Sequence, residues 1–254
     1  MIAIRSALFN LIMFTTVPFY AVASLFTAPF PPVARYRFIS GWARFHIWVL
    51  RVLCGIRYTV EGREHLPKGA AIVLAKHQSS WETLAFQQIF PPQVWVLKRE
   101  LLWVPFFGWG LALTNPIAID RGAGRKAIEQ IVSQGGARLD AGRWVVIFPE
   151  GTRVAKGYRR RHGIGGAVLA AETGYPIVPV AHNAASCWPR RGFYKRPGTI
   201  RVVIGPLVES KGRTAEELRA QVENWMRGAM EKLDGAPEQL ATAAPAASPN
   251  SQSA

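Results

Sequence analysis

The chain has 254 residues, of which 49% are hydrophobic and 19% charged, which suits one packed domain with appendages and excludes wholesale disorder. Two cysteines, Cys54 and Cys187, exclude a disulfide framework and any multi-cysteine zinc module. A formal net charge of +15 implies an anionic partner: nucleic acid, a membrane surface or a phosphorylated substrate.

The N-terminal residues select among these. Residues 1–60 carry six Arg and no carboxylate, and Ser6 to Ala34 is free of charge altogether. Residues 6–28 are long enough to cross a hydrocarbon core of about 30 Å. Pro18 interrupts the run and Pro29, Pro31 and Pro32 close it, so a kinked or re-entrant helix pair fits as well as one straight span. Next, Arg37, Arg44 and Arg51 recur every seventh residue along one helix face, interleaved with Trp42, Phe45 and Trp48, the pattern of a helix lying on an anionic membrane surface. Arg5, the apolar run and Ala21-Val22-Ala23 also have the outline of a signal peptide. Arg35, Arg37 and Arg44 follow the apolar run and place the rest of the chain on the cytoplasmic side of the cell (inner) membrane. Residues 1–57 are accordingly expected to be a membrane-inserted or interfacial helical segment.

From there, short β-branched runs alternate with helical patterns. Strands are expected at Tyr58–Glu61, Ala71–Ala75, Val94–Leu97, Ile117–Asp120, Trp144–Phe148, Ile177–Ala181 and Arg201–Ile204. Helices are expected at Ser80–Ile89, Leu101–Leu113, Gly124–Leu139, Gly166–Glu172 and Thr214–Leu233, the last opened by the capping box Thr214-x-x-Glu217. This alternation predicts an α/β fold: a single domain over 58–234 with a mostly parallel or mixed central sheet flanked by helices. Residues 235–254, rich in Ala, Pro and Ser and without periodicity, read as a disordered tail.

Dinucleotide, P-loop, zincin and nucleophile-elbow motifs are absent. Two clusters remain, each at the end of an expected strand. In His77-Gln78-Ser79-Ser80-Trp81-Glu82, five residues is about 500° of helix, so His77 and Glu82 meet only if His77 sits in the loop and Glu82 in the first turn. Ser79-x-x-Glu82 is a capping box that sets up this arrangement, and it leaves two readings open: Glu82 orients a basic imidazole, or it merely caps the helix. The second cluster, Phe148-Pro149-Glu150-Gly151-Thr152-Arg153, brings a turn, a hydroxyl and a guanidinium suited to phosphate to the same sheet edge, or is a plain exit from the strand.

Together the clusters resemble the lysophosphatidate and glycerol-phosphate acyltransferase family, whose signature is His-x4-Asp followed by Phe-Pro-Glu-Gly-Thr-Arg. Lys98-x-Glu100-Leu101 with Pro105 and Gly108, Ile119-Asp120-Arg121 and Ile177-Val178-Pro179-Val180 are similar to its other blocks, so the resemblance spans about residues 70–206. Position 82 departs from the pattern, holding Glu for Asp, as in some lipid A acyltransferases of the superfamily. The resemblance implies that His77 is a general base and Glu82 its orienting partner. It also implies that Lys98, Arg121, Glu150, Gly151, Thr152 and Arg153 bind the acceptor at its phosphate, with backbone N–H groups near Gly151 as oxyanion donors. The implied acceptor is a membrane lipid, lysophosphatidate, and the implied donor acyl-CoA or acyl-carrier protein. No metal or cofactor is implied. Glycerol 3-phosphate, a lyso-ornithine lipid and a lipid A precursor are alternative acceptors, and a non-catalytic basic membrane-peripheral protein is the alternative outside catalysis.

Lys156, Arg159, Arg160 and Arg161, and then Arg190, Arg191, Lys195 and Arg196, are expected in solvated loops, where they could attract anionic headgroups. Most Trp and Phe lie in the N-terminal apolar region and near Trp103–Trp109 rather than among these charges, which favours lipid and argues against nucleic acid. His46, His65 and His182 lack metal-ligand spacing and are assigned structural roles.

Overall fold

The computed structural model describes residues 1–241, and for Arg121 the backbone alone. Its strands, in chain order, are β1 (Ile56–Glu61), β2 (Ile72–Ala75), β3 (Gln93–Lys98), β4 (Ile117–Ile119), β5 (Trp144–Ile147), β6 (Tyr158–Arg159), β7 (Ile177–His182), β8 (Gly198–Ile204) and β9 (Gln239–Leu240). Seven of them form one sheet in the order β1-β8-β7-β2-β5-β3-β4, parallel throughout except for the pair β7–β8. The expected mixed sheet is the one that forms.

Both faces of the central strands are apolar, so helices must cover both sides. Val73 and Ala75 of β2, with Trp144 and Val146 of β5, enter one apolar layer. Ile72, Leu74, Val145 and Ile147 enter the other. The first layer is closed by α1 (Ile2–Leu25), α2 (Pro32–Cys54) and α3 (Trp81–Ile89). The second is closed by α5 (Arg125–Asp140), α6 (Gly165–Thr173) and α7 (Ala215–Asp234), and α4 (Phe107–Leu113) packs against α1.

α1 and α2 form an antiparallel hairpin, because Tyr20 Oη donates to the Phe38 carbonyl while Cys54 lies opposite Arg5. Over the apolar run 6–28 the structure has a single helix, α1, up to Leu25, and the second helix of the hairpin is the Arg-bearing one expected after it. Pro18 is carried within α1, and Pro32 opens α2, where its missing N–H is not needed. Phe9 of α1 and Ala43, Ile47 and Leu50 of α2 are buried in the same layer as the strands, so one core runs through hairpin and sheet. The opposite faces stay open: Leu8, Leu11, Phe14 and Phe19 on α1, and Phe38, Phe45, Trp48 and Val52 beside Arg37, Arg44 and Arg51 on α2. Among the described residues, α1 alone is long and apolar enough to cross a membrane.

Three expectations are corrected. The helix expected over Leu101–Leu113 is split into a 3-10 turn at Arg99–Trp103 and α4, because Pro105 lacks an N–H and forces Val104 into an extended conformation. The expected tail is ordered at its start, where β9 pairs with β6 in a two-stranded ribbon; the rest of it, 242–254, lies outside the described residues. Lys195, expected in a solvated loop, is 2% exposed. Its Nζ donates to Asn10 Oδ1 at 2.6 Å and to the Phe193 carbonyl at 2.8 Å, with the Trp188 ring 4.9 Å away. Burial pushes its ammonium pKa down to about 8. The loop is thereby clipped onto α1, since the Lys195 N–H also donates to Ser6 Oγ at 2.9 Å.

Candidate active site

The parallel strands β2 and β5, with β7 beside β2, end at one edge, where α/β sheets present their ligand-binding loops. β2 leaves the sheet at Ala75, and Lys76 keeps one ladder bond, its N–H donating to the Val180 carbonyl at 2.9 Å. His77 follows in the loop and Glu82 sits in the first turn of α3, the placement required for the two to meet.

They do meet. His77 Nδ1 lies 2.8 Å from Glu82 Oε1. The same oxygen accepts the N–H groups of Gln78 at 2.9 Å and Ser79 at 2.8 Å. The expected Ser79 capping box does not form as such: Ser80 is the capping residue, and Ser79 Oγ accepts from the Trp81 N–H at 3.1 Å. Glu82 therefore both ties the helix start and holds the imidazole. Burial, the strongest influence on Glu82, works against its ionisation. His182, His77 and the Ser79 N–H outweigh it and hold the carboxyl below the usual carboxylate range. Because a carboxylate only accepts, Nδ1 of His77 bears the proton and Nε2 keeps a lone pair.

Three further groups fix the imidazole. Phe148, the residue after β5, stacks on the His77 ring with centroids 3.8 Å apart and planes at 9°. Glu150 Oε2 accepts the His77 N–H at 3.0 Å, and the Val154 N–H donates to the His77 carbonyl at 2.7 Å. His182, fully buried at the end of β7, donates from Nε2 to the Lys76 carbonyl at 2.9 Å and accepts the Ala184 N–H on Nδ1. Burial lowers its pKa, and its two ring nitrogens brace the Lys76 carbonyl and the Ala184 N–H beside Glu82. Sequence reasoning gave no role to Lys76 or Phe148 and left His182 as an unspecified structural residue. The cues available were adjacency to His77, a place in the Phe-Pro-Glu-Gly-Thr-Arg block, and a position at a strand end.

His77 and Arg153 share a cavity of about 390 Å³, whose walls include Leu84, Trp95, Trp42 of α2 and Leu111 of α4. Arg153 is partly buried, lines this cavity, and its buried Nε has no protein partner. The remaining candidates are less convergent. Lys98 is half-exposed and paired with Glu100 at 2.8 Å, outside the cavity lining. Arg121 opens the turn after β4, and its side chain lies outside the described residues. Thr152 is partly buried beside Arg153. Gly151 adopts a φ of 70°, the left-handed region that favours glycine, and its N–H donates to the Phe148 carbonyl at 3.0 Å. That N–H is thereby engaged in the turn. Glu150 is 4% exposed, with Oε1 on Lys76 Nζ at 2.8 Å and Oε2 on His77. A carboxylate committed in this way, and of the same sign as phosphate, supports the His77 backbone rather than an acceptor anion.

Beneath Lys76 lies His162, whose pKa is pushed down to about 4 by burial and by the charges of Lys76, Arg159 and Arg219. The unfolded chain, with His near 6.5, binds the extra proton between these values, so stability is complete above that range and falls on acidification through it. The full difference is about 3 kcal/mol. Thermal melts of wild type against His162→Gln at pH 7.5 and 5 should show a steeper acid loss in wild type. Parallel curves would contradict a neutral buried His162.

With this geometry in hand, known proteins place the chain. The sequence pattern of the family described as Acyltransferase matches residues 57–183. The chain is 47% identical to a 1-acyl-sn-glycerol-3-phosphate acyltransferase of Pseudomonas aeruginosa, over 91% of this chain and 92% of that protein. It is 31% identical to the Saccharomyces cerevisiae protein of the same name, over 72% and 65% respectively. Its fold matches that of the 1-acyl-sn-glycerophosphate acyltransferase of Thermotoga maritima, with a TM-score of 0.75, 23% identity, and 91% and 95% of the two chains covered. Fold and sequence thus define an acyltransferase domain. More narrowly, the chain belongs to the 1-acyl-sn-glycerol-3-phosphate acyltransferase family.

Proposed function

We propose that this protein transfers a fatty acyl chain from an acyl thioester, acyl-CoA or acyl-carrier protein, to the free hydroxyl of lysophosphatidate, giving phosphatidate for phospholipid synthesis. The observation that carries the reading is the His77–Glu82 contact at 2.8 Å in the cavity that also holds Arg153. His77 Nε2 takes the hydroxyl proton as the oxygen attacks the thioester carbonyl. As the tetrahedral adduct collapses, the C–S bond breaks and the imidazolium returns that proton to the departing thiolate. Glu82 keeps Nδ1 protonated and offsets the imidazolium charge. No protein acyl intermediate is required. Arg153 holds the acceptor phosphate, and the apolar cavity wall holds an acyl chain.

The open faces of α1 and α2 fit a hairpin set into an anionic inner-membrane surface: apolar side chains enter the lipid, Arg37, Arg44 and Arg51 meet headgroups, and the sheet stays on the cytoplasmic side where thioester donors are made. Membranes bearing the protein, given labelled acyl-CoA or acyl-carrier protein with lysophosphatidate, glycerol 3-phosphate, lyso-ornithine lipid and a lipid A precursor, test the reading. Labelled phosphatidate from lysophosphatidate is the expected product. Preferred acylation of another acceptor moves the assignment, and no acylation at all removes it.

A further inference from the structure

We infer that Glu238, on the segment that follows α7, is a positioning residue for His77, acting through Lys76 and Glu150. The inference deepens the acyl-transfer reading above and rests on it for its kinetic consequences.

Lys76 is 1% exposed. Its Nζ donates to Glu150 Oε1 at 2.8 Å and to the Tyr158 carbonyl at 3.0 Å, and Glu238 Oε1 lies 2.7 Å from it as an ion-pair partner without an aligned hydrogen bond. Glu150 is the relay: one of its oxygens faces Lys76 and the other receives the His77 N–H. A shift of Lys76 therefore drags Glu150, and Glu150 cannot follow without releasing the backbone of His77.

Glu238 limits that shift. Without it, a buried ammonium retains one carboxylate and one carbonyl, and the vacated place must be filled by water or by movement of Lys76. The segment carrying Glu238 also fixes the carbonyl partner. Gln239 N–H donates to the Gly157 carbonyl at 2.8 Å and Ala241 N–H to that of Arg159 at 2.8 Å, pinning the strand that presents Tyr158. The C-terminal segment thus supplies one ligand of Lys76 directly and braces a second. Glu238 is not among the residues that line the cavity and touches no reacting atom, so its effect must be seen in the rate and not in substrate affinity.

The test compares Glu238→Ala, Glu238→Gln and Glu238→Asp with wild type in the full-length, membrane-bound protein. The readouts are kcat and KM for lysophosphatidate and acyl donor, and hydrogen exchange of the His77 amide. Glu238→Ala should lower kcat about 10- to 100-fold with both KM values within about twofold of wild type, the scale of a small misplacement of a reacting group. It should also speed His77 amide exchange about tenfold, as expected for a loosened local hydrogen bond. Glu238→Asp, which keeps the carboxylate opposite Nζ, should recover part of both, whereas Glu238→Gln, which loses the charge, should behave like Glu238→Ala. If folded Glu238→Ala keeps its kcat, or loses it while His77 exchange stays at the wild-type rate, the inference fails. Should Glu238→Ala not fold, Glu238→Asp and Glu238→Gln decide it by the same two readouts. Wild type that fails to acylate lysophosphatidate overturns the functional reading instead, and amide exchange then settles the positioning role by itself.

Discussion

Glu82→Gln is expected to give a folded protein that transfers acyl groups about 10²- to 10⁴-fold more slowly than wild type, the range seen when a general base loses its oriented, charge-balanced partner. The amide oxygen of Gln can accept the same three hydrogen bonds that Glu82 Oε1 accepts from His77, Gln78 and Ser79, so the start of α3 should survive. What vanishes is the negative charge beside the imidazolium that forms as the hydroxyl is deprotonated. His77→Ala removes the base itself and should fall in the same range or below it. Steady-state rates on lysophosphatidate, with circular dichroism to confirm folding, check both. Wild-type turnover in Glu82→Gln would reduce Glu82 to a helix cap and dismantle the proposed mechanism.

Arg153→Ala should act on the other substrate parameter, raising KM for the phosphorylated acceptor about 10- to 150-fold, the equivalent of the 1.5–3 kcal/mol typical of a charge-assisted hydrogen bond. KM for the thioester should change little. Arg153→Lys should recover only part of the loss, because a point charge cannot reproduce a planar fork. Lys98→Ala offers the contrast: its ammonium is half-exposed and already paired with Glu100, so the change in acceptor KM should be small. Equal effects at Arg153 and Lys98, or an Arg153 effect confined to kcat, would remove Arg153 as the phosphate holder.

These residues were unequally visible in the sequence. The strands announced themselves as β-branched runs. Helix geometry set the condition for His77 and Glu82 to meet, a pairing across a loop-to-helix junction, but left open whether Glu82 holds the imidazole or only caps the helix. The Thr214–Glu217 capping box forms as its spacing implies. Pro105 was equally visible, and the unbroken helix drawn through it overvalued apolar periodicity against a missing donor. The support of His77 was hidden for a different reason. Lys76 and Glu150 are 74 positions apart and His182 reaches Lys76 from a third strand, so none of these contacts leaves a local period or motif. Glu238 was hidden by its surroundings: an Ala- and Pro-rich composition suggests disorder and carries no sign of a single carboxylate that ends on a buried lysine.

The α1–α2 hairpin has a practical consequence. Val17 and Tyr20 of α1 and Ile39 and Trp42 of α2 border the cavity that holds His77, and Phe9 and Leu50 are buried with the strands. Trimming the chain to its sheet would therefore remove part of the cavity wall together with the long apolar helix α1. The two cannot be engineered apart: a foreign helix grafted onto residues 58–241 would not restore the cavity lining that α1 and α2 supply.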